Sequence, residues 1–187
     1  EVPSSMRLFV RGRLDLLNGP AMELIGIASV LGDAPEKDLL LHLGGRDAEA
    51  LQELVDRRFL QWTDERTLRF THALVRDVTY ESLLRARRAD IHRAAAEWYA
   101  VLPVSQVLEQ QAYHLEAAVD LAESDCSQVR RAVDAMVLFA RSIEEERTCT
   151  SRAVLDRARA LVEQRPECAF EQLPLELVTA SVLHLLG

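Results

Sequence analysis

The chain has 187 residues, of which 49% are apolar, so it is long enough to bury one core or two small ones. Its 22 basic and 30 acidic residues give a formal net charge of -8, which argues against a protein whose main task is to wrap nucleic acid. No apolar run approaches the length of a membrane span, and the first residues lack the apolar core of a signal peptide, so we expect a cytoplasmic protein.

Cysteine number and spacing predict no covalent framework. The three cysteines are Cys126, Cys149 and Cys168, an odd number with no CxxC pair among them. Zinc knuckles and disulfide scaffolds need closer or paired spacing. We therefore expect reduced thiols, buried as small apolar side chains.

The first half of the chain predicts four helices and a hairpin. Apolar spacing and stop signals place helices from Pro3 to Leu17, from Pro20 to Leu31 and from Pro35 to Leu43, with a fourth capped by Asp47. Alternation then predicts a β-hairpin at Gln61–Thr71. This order is typical of a winged-helix domain, in which the helix before the hairpin is the one that can enter a DNA groove.

The surface of that fourth helix has the wrong charge for DNA. Its polar residues are mostly acidic, and the hairpin tip adds two more carboxylates, whereas phosphate contacts require basic or neutral donors. We therefore expect no direct DNA binding here. The residues are Asp47, Glu49, Gln52, Glu53 and Asp56 on the helix and Asp64 and Glu65 at the tip.

Two more helices follow the hairpin, meeting at the basic cluster Arg85, Arg87 and Arg88. The cluster has two interpretations, a solvated group near the negative end of a helix or a docking surface for an acidic partner. His72 stands where strand gives way to helix. It could be a cap or core residue, or it could donate to an anion at the helix N-terminus.

Beyond Pro103 the pattern is helical throughout, so we expect a winged-helix domain over 1–102 and TPR-like helical repeats over 103–187. Small residues, an Ala-Leu pair and a closing proline in RARALVEQRPE resemble the second helix of a tetratricopeptide unit, paired around Thr148–Ser151. A further helix is expected at Leu175–Leu186. The fold class predicted is mostly α, with one small hairpin.

Catalytic spacing is not found. The sequence has no GxSxG, HExxH or Walker-type motif, and the carboxylates at Glu144–Glu146 and Glu116–Asp125 are typical of solvated helix faces. We expect neither an enzyme nor a metal site in this chain. The remaining histidines are expected to be structural and hydrogen-bonded; they are His42, His92, His114 and His184.

The most distinctive motif of the chain is FTHALVRDVTYESL at Phe70–Leu83, followed by Arg87-Arg88, His92 and Ala96. RLD with Leu17 and ASVLG precede it near the start, and AYHLEAA follows it at 112–118. In this order the motifs resemble the bacterial STAND ATPases, which include the large ATP-binding LuxR-type regulators and the ATPase regions associated with adenylate cyclases. The motifs near the start resemble the opening helices of the winged-helix domain of that family, and AYHLEAA resembles the start of its helical arm.

The resemblance implies a regulatory fragment of a signal-transduction or transcription-regulating ATPase. In that family a winged helix after the nucleotide-binding domain locks the ADP-bound state, and a Met-His-Asp motif in related proteins brings a histidine to the nucleotide phosphates. The matching triplet here is Thr71-His72-Ala73, so the histidine is present and Ala73 stands at the Asp position. ATP or ADP would bind the preceding ATPase domain, and this chain alone would hold no cofactor.

The partners implied are that ATPase domain and a protein or small-molecule effector on the arm, with no membrane. Two alternatives remain. One is a DNA-contacting winged-helix module of a transcriptional regulator, which a basic fourth helix would favour. The other is a structural scaffold without nucleotide contact, which a fully buried His72 would favour.

Overall fold

The computed structural model describes residues 3–103, 107–143 and 148–171. The chain divides into two compact units, residues 1–91 and residues 92–187. The division falls inside one helix, whereas sequence places the domain boundary at 102/103. Mostly helical structure with one small hairpin, as predicted, describes both units together.

The first unit contains four helices before its hairpin. They are α1 (Ser4–Leu14), α2 (Gly19–Leu31), α3 (Lys37–Leu43) and α4 (Ala48–Asp56). Two of them begin with side-chain caps: the Asn18 side chain accepts from the backbone N–H of Ala21, and the Asp47 side chain accepts from Ala50, each at 2.8 Å. The predicted cap at Asp47 is therefore confirmed.

The third helix starts two residues later than predicted. The backbone at Pro35–Lys37 is extended instead, because Pro35 O accepts from Leu68 N at 3.0 Å and Lys37 N donates to Arg66 O at 2.8 Å. Pro35–Lys37 therefore pair with Arg66–Leu68 as extended backbone and do not begin the helix. Gly44 and Gly45 follow Leu43, and Gly45 has φ of 72°, which a glycine adopts readily.

The hairpin is short and antiparallel. Strand β1 (Leu60–Trp62) pairs with β2 (Leu68–Phe70), with Gln61 opposite Arg69. Leu60, Leu68 and Phe70 are buried, whereas Gln61 and Arg69 are not, so alternation turns one face of the hairpin to the core. Helix α5 (Ala73–Ser82) follows, and α6 (Arg85–Ala100) begins after Leu83 and Leu84.

The core of the first unit is built around α2, whose Leu24, Ile25, Ile27 and Ala28 are at most 1% exposed. Helices α3, α4 and α5 and the hairpin cover it. Leu83 lies over Gly26, where an added Cβ would come within 3.4 Å of Leu83 Cδ2. The connection after α5 is thereby packed directly on the central helix.

The second unit consists of helices without strands in its described part. Helix α7 (Leu108–Leu121), α8 (Cys126–Ser142) and α9 (Thr148–Glu163) are followed by a 3-10 helix at Pro166–Glu171. Helix α8 begins with a capping box. The Asp125 side chain accepts from the backbone N–H of Gln128, and the Gln128 side chain accepts from the backbone N–H of Asp125. The apolar residues at helical spacing along α9 and α8 are buried: Val154, Leu155, Ala158, Leu161 and Val162 on α9, and Val129, Ala132, Val133, Met136 and Ala140 on α8.

Thr148–Ser151 is the first turn of α9, and Ser151 Oγ donates to Ala140 O on α8 at 3.0 Å. The helix expected at Leu175–Leu186 lies outside the described residues.

The expectation of reduced thiols is wrong for two of the three cysteines. Cys126 and Cys168 form a disulfide, with their Cα atoms 5.3 Å apart. The folding of α9 back along α8 brings together residues separated by 42 positions in sequence. No local spacing motif predicts a pair so far apart in sequence, and this is why the cysteine pattern led to the wrong prediction of reduced thiols.

Candidate functional site

His72 is held at the junction between hairpin and helix. Strand β2 ends at Phe70, and the backbone N–H of Thr71 donates to Phe59 O at 3.0 Å, which fixes the chain as it leaves the hairpin. His72 is extended, with φ of -141° and ψ of 130°, and it is the N-cap residue of α5. The hairpin therefore sets the position from which its imidazole projects.

The His72 side chain serves neither as a cap nor as a core residue. It makes no capping hydrogen bond, and it is exposed. Only its carbonyl oxygen takes part in the helix start, accepting from Val75 N at 3.0 Å. The imidazole is thus available to a ligand or partner at the positive end of α5.

An apolar groove of about 500 Å³ lies beside this histidine. Helix α1 supplies one wall, and the first turn of α5 supplies the other. Met6 and Phe9, which line this wall, are 53% and 68% exposed, so the groove presents large apolar surface to solvent. The lining residues are Ser5, Met6, Phe9, Val10, Arg13, His72, Leu74 and Val75.

The polar part of the groove favours an anion. Arg13 and His72 are the ionisable residues that line it, and no carboxylate is among the described lining residues. Arg13 is held in place because its guanidinium donates to Arg57 O at 2.8 Å and lies 4.6 Å from the Phe59 ring centre. An apolar floor with a guanidinium and an imidazole suits binding and recognition of a ligand or partner segment.

The basic cluster at the start of α6 is engaged within the first unit. Arg87 forms an ion pair with Glu23 of α2 at 2.9 Å, and Arg88 stacks on the Tyr80 ring at 4.6 Å. Arg85 is exposed at the first position of the helix and also has an interaction of its own. Arg87 and Arg88 thus anchor α6, and the cluster is not a uniform free patch.

The helix and hairpin tip that would face DNA are acidic, as predicted from sequence. Glu49, Gln52 and Asp56 are exposed, and Glu53 forms an ion pair with Arg57 at 2.9 Å. At the tip, hydrogen bonds from the backbone N–H groups of Arg66 and Thr67 lower the pKa of Asp64 and hold it ionised. This surface repels phosphates.

A second polar cluster, which sequence did not reveal as a unit, lies inside residues 92–171. His92 and His114 are 1% and 3% exposed, and their Nδ1 atoms are 2.7 Å apart, so one ring donates to the other. The Tyr99 ring stacks on His114 with centres 5.8 Å apart, and Tyr113 meets it edge-on. The prediction of hydrogen-bonded structural histidines is confirmed for this pair.

Burial changes the titration of the pair. Desolvation, assisted by the nearby His92, lowers the pKa of His114 to about 3. His114 is therefore neutral at physiological pH. Each histidine stands on an apolar stripe, and only the packing of α6 residues beside α7 brings the two rings together.

Glu116 departs from the expectation of a solvated helix face. Its side chain is 16% exposed and forms an ion pair with Arg157 of α9 at 2.9 Å. Burial raises the pKa of this carboxyl, and the charge of Arg157 opposes that shift. The residue links α7 to α9.

Metal ligation, membrane insertion, the remaining histidines and similarity to known proteins add no candidate site among the described residues. Within residues 3–103, 107–143 and 148–171, no group of three or more potential metal ligands is found, and no helix is long and apolar enough to cross a membrane. Of the other predicted histidines, His42 is exposed with a partner of its own, and His184 lies outside the described residues. Comparisons with protein-family models, curated proteins and solved structures gave no match.

Proposed function

We propose that this chain is the non-catalytic latch and arm of a STAND-type regulatory ATPase. Residues 1–102 form a winged helix that closes on a preceding nucleotide-binding domain, and residues 103–187 begin a TPR-like arm that receives a protein or small-molecule signal. The protein acts in the cytoplasm, and its output controls transcription or a cyclase.

One observation carries the proposal: His72 projects from the start of α5 beside the apolar groove and is neither buried nor used as a cap. A scaffold without nucleotide contact would have been favoured by a buried His72. An exposed imidazole at a helix N-terminus can donate to a phosphate that another domain presents. The groove beside it offers apolar surface on which that domain can dock.

The mechanism is a shift between two populations. In the closed state the preceding domain holds ADP, and His72 donates a hydrogen bond to its phosphates. Effector binding to the arm favours the open, ATP-bound state. The latch contributes a bond that exists only in the closed state, so it sets the resting bias without performing chemistry.

The competing proposal is a DNA-contacting winged-helix module. The acidic exposed residues on α4 and the ionised Asp64 at the hairpin tip oppose it. Basic contacts to phosphates supply most of the affinity for duplex DNA.

A binding experiment separates the two proposals. The ATPase domain that the proposal places upstream of Glu1 is produced separately and titrated with this chain in ADP and in a non-hydrolysable ATP analogue. Tighter binding with ADP is expected, and Phe9→Glu in the groove should abolish it, whereas Leu138→Glu, on the exposed face of α8 in the second unit, should not.

Duplex DNA is titrated in parallel at low and physiological salt. No measurable binding is expected at physiological salt. Tight, salt-sensitive DNA binding without nucleotide-dependent docking would overturn the latch in favour of the DNA-binding module.

A further inference from the structure

The disulfide between Cys126 and Cys168 joins the start of α8 to the last described element of the chain. Cys126 is the first residue of α8, and Cys168 lies in the 3-10 helix that follows α9. The bond therefore fixes the position of the 3-10 helix relative to the start of α8.

The two sulfurs have different surroundings. Cys168 is 0% exposed and belongs to the hydrophobic core of the second unit, whereas Cys126 is partly exposed in the first turn of its helix. A thiolate from solution reaches the Cys126 sulfur first. The leaving group is then the Cys168 thiolate, which is formed inside an apolar core.

Few other bonds hold this segment. The side chain of Arg165 donates to Leu161 O at 3.1 Å and to Val119 O at 2.9 Å, which ties the end of α9 to α7. Beyond Arg165, Cys168 N donates to Arg165 O at 2.8 Å, and among the described residues Pro166–Cys168 make no hydrogen bond to another element. For Pro166–Cys168, the part of the 3-10 helix whose side chains the structure describes, the disulfide and the burial of Cys168 provide the attachment to the core.

We propose that this disulfide is a redox-sensitive clamp on the helical arm. A dithiol reductant attacks the Cys126 sulfur, forms a mixed disulfide and releases Cys168 as a thiolate, which takes a proton. The second thiol of the reductant then displaces Cys126, so that two electrons pass to the protein. The products are two cysteine thiols and one oxidised dithiol.

Reduction is coupled to movement because a thiolate is poorly solvated at a site that is 0% exposed. Outward displacement of the 3-10 helix admits water to the leaving sulfur, and once the bond is broken Pro166–Cys168 have no hydrogen bond to another element among the described residues. The switch rests on the proposed function, which places the chain in the cytoplasm. Most thiols are kept reduced there, so a disulfide acts as a switch rather than a permanent staple. Oxidation closes the arm onto α8.

Hydrogen exchange tests the clamp in the whole 187-residue chain. A Cys149→Ser background restricts thiol chemistry to the pair. Exchange is followed by mass spectrometry in the oxidised chain, after dithiothreitol, and after reoxidation. The peptide over Arg165–Glu171 should exchange about tenfold faster or more once reduced, while α7 stays folded and keeps most of its protection, and should recover on reoxidation.

The Cys126→Ser variant separates loss of the bond from loss of core packing, because it leaves Cys168 in place. It should exchange like the reduced chain with or without dithiothreitol. Three results would overturn the clamp: two free thiols in the chain before reduction, unchanged exchange at Arg165–Glu171 after reduction, or loss of protection throughout residues 92–171, which would make the bond a structural staple.

Discussion

The two units of this protein are stabilised in different ways. Residues 1–91 follow local rules: capped helices, a hairpin whose alternation faces the core, and helix α2 buried at the centre. Residues 92–171 contain only helices in their described part, joined by a disulfide, a buried histidine pair and a partly buried ion pair. The first unit should tolerate loss of long-range links, and the second should not.

The chain offers a direct way to observe each unit. It has two tryptophans, Trp62 in the hairpin and Trp98 in the second unit. Trp62→Phe and Trp98→Phe versions each leave one fluorescent reporter. Unfolding curves of the two versions compare the units within the same chain.

Removal of the disulfide is expected to have the largest effect. A cross-link between residues 42 positions apart restricts the unfolded chain, and loop-closure entropy assigns it about 4 kcal/mol. Cys126→Ser with Cys168→Ser should lower the free energy of unfolding reported by Trp98 by roughly that amount. The Trp62 signal should not move, and an equal loss in both reporters would break the comparison.

A substitution at Gly44 tests how tightly the first unit is packed. A Cβ there would lie 2.3 Å from Leu24 Cδ1 and 3.1 Å from Leu40 O, and Leu24 is 1% exposed. Gly44→Ala should lower the free energy of unfolding reported by Trp62 by about 1 to 3 kcal/mol. Gly12→Ala is the control, since nothing lies within 4 Å of its added methyl group and it should stabilise α1 by about 0.5 to 1 kcal/mol.

Mild acid should destabilise the second unit through His114. Burial lowers its folded-state pKa to about 3 from an unfolded value of 6.5, so the unfolded chain binds the extra proton between these values. Stability is therefore complete above pH 6.5 and falls as the pH drops towards 3. At about 1.4 kcal/mol per pH unit, the loss between pH 6.5 and 5 approaches about 2 kcal/mol.

His114→Gln supplies the matched control for this acid effect, because glutamine keeps a polar group and does not titrate. The Trp98 unfolding curve of this variant should depend much less on pH between 6.5 and 5. If it retains the full slope, other groups cause the acid sensitivity.

The smallest effect is expected at the basic cluster. Arg87 and Glu23 form an exposed ion pair, with side chains 46% and 64% accessible. Exposed pairs are worth less than about 1 kcal/mol, so Arg87→Glu should hardly change the Trp62 unfolding curve. If the cluster also docks another domain, the same variant should weaken binding of the preceding ATPase domain, and unchanged binding would restrict Arg87 to anchoring α6.

The difference between the units also explains which structural features could be predicted from the sequence. Caps such as Asp47, stop signals such as Gly44-Gly45 and the alternation around Gln61 act within a few residues, so the pattern reported them correctly. The early residues of α3 were misassigned because Pro35 and Lys37 hydrogen-bond to distant residues. Cys126–Cys168, His92–His114 and Glu116–Arg157 each join separate helices, and no local period records such pairs.

For the candidate site, sequence predicted the position of His72 and left its environment open. A strand-to-helix change marks the junction, but whether a histidine there caps, is buried or projects depends on what packs beside it. The groove arises because α1 presents Met6 and Phe9 next to the first turn of α5, which no spacing within either helix indicates.

The latch is tested most directly by the rate of ADP release from the longer protein that the proposal predicts, with its ATPase domain upstream of Glu1. A charge-assisted hydrogen bond is worth about 1.5 to 3 kcal/mol, so His72→Ala should release ADP roughly tenfold to a hundredfold faster. Thr71→Ala is the control, because the Thr71 hydroxyl has no hydrogen-bond partner among the described residues, and its ADP release should match the unmodified protein. Equal ADP release from folded His72→Ala and unmodified protein would contradict the role of His72 as a nucleotide latch.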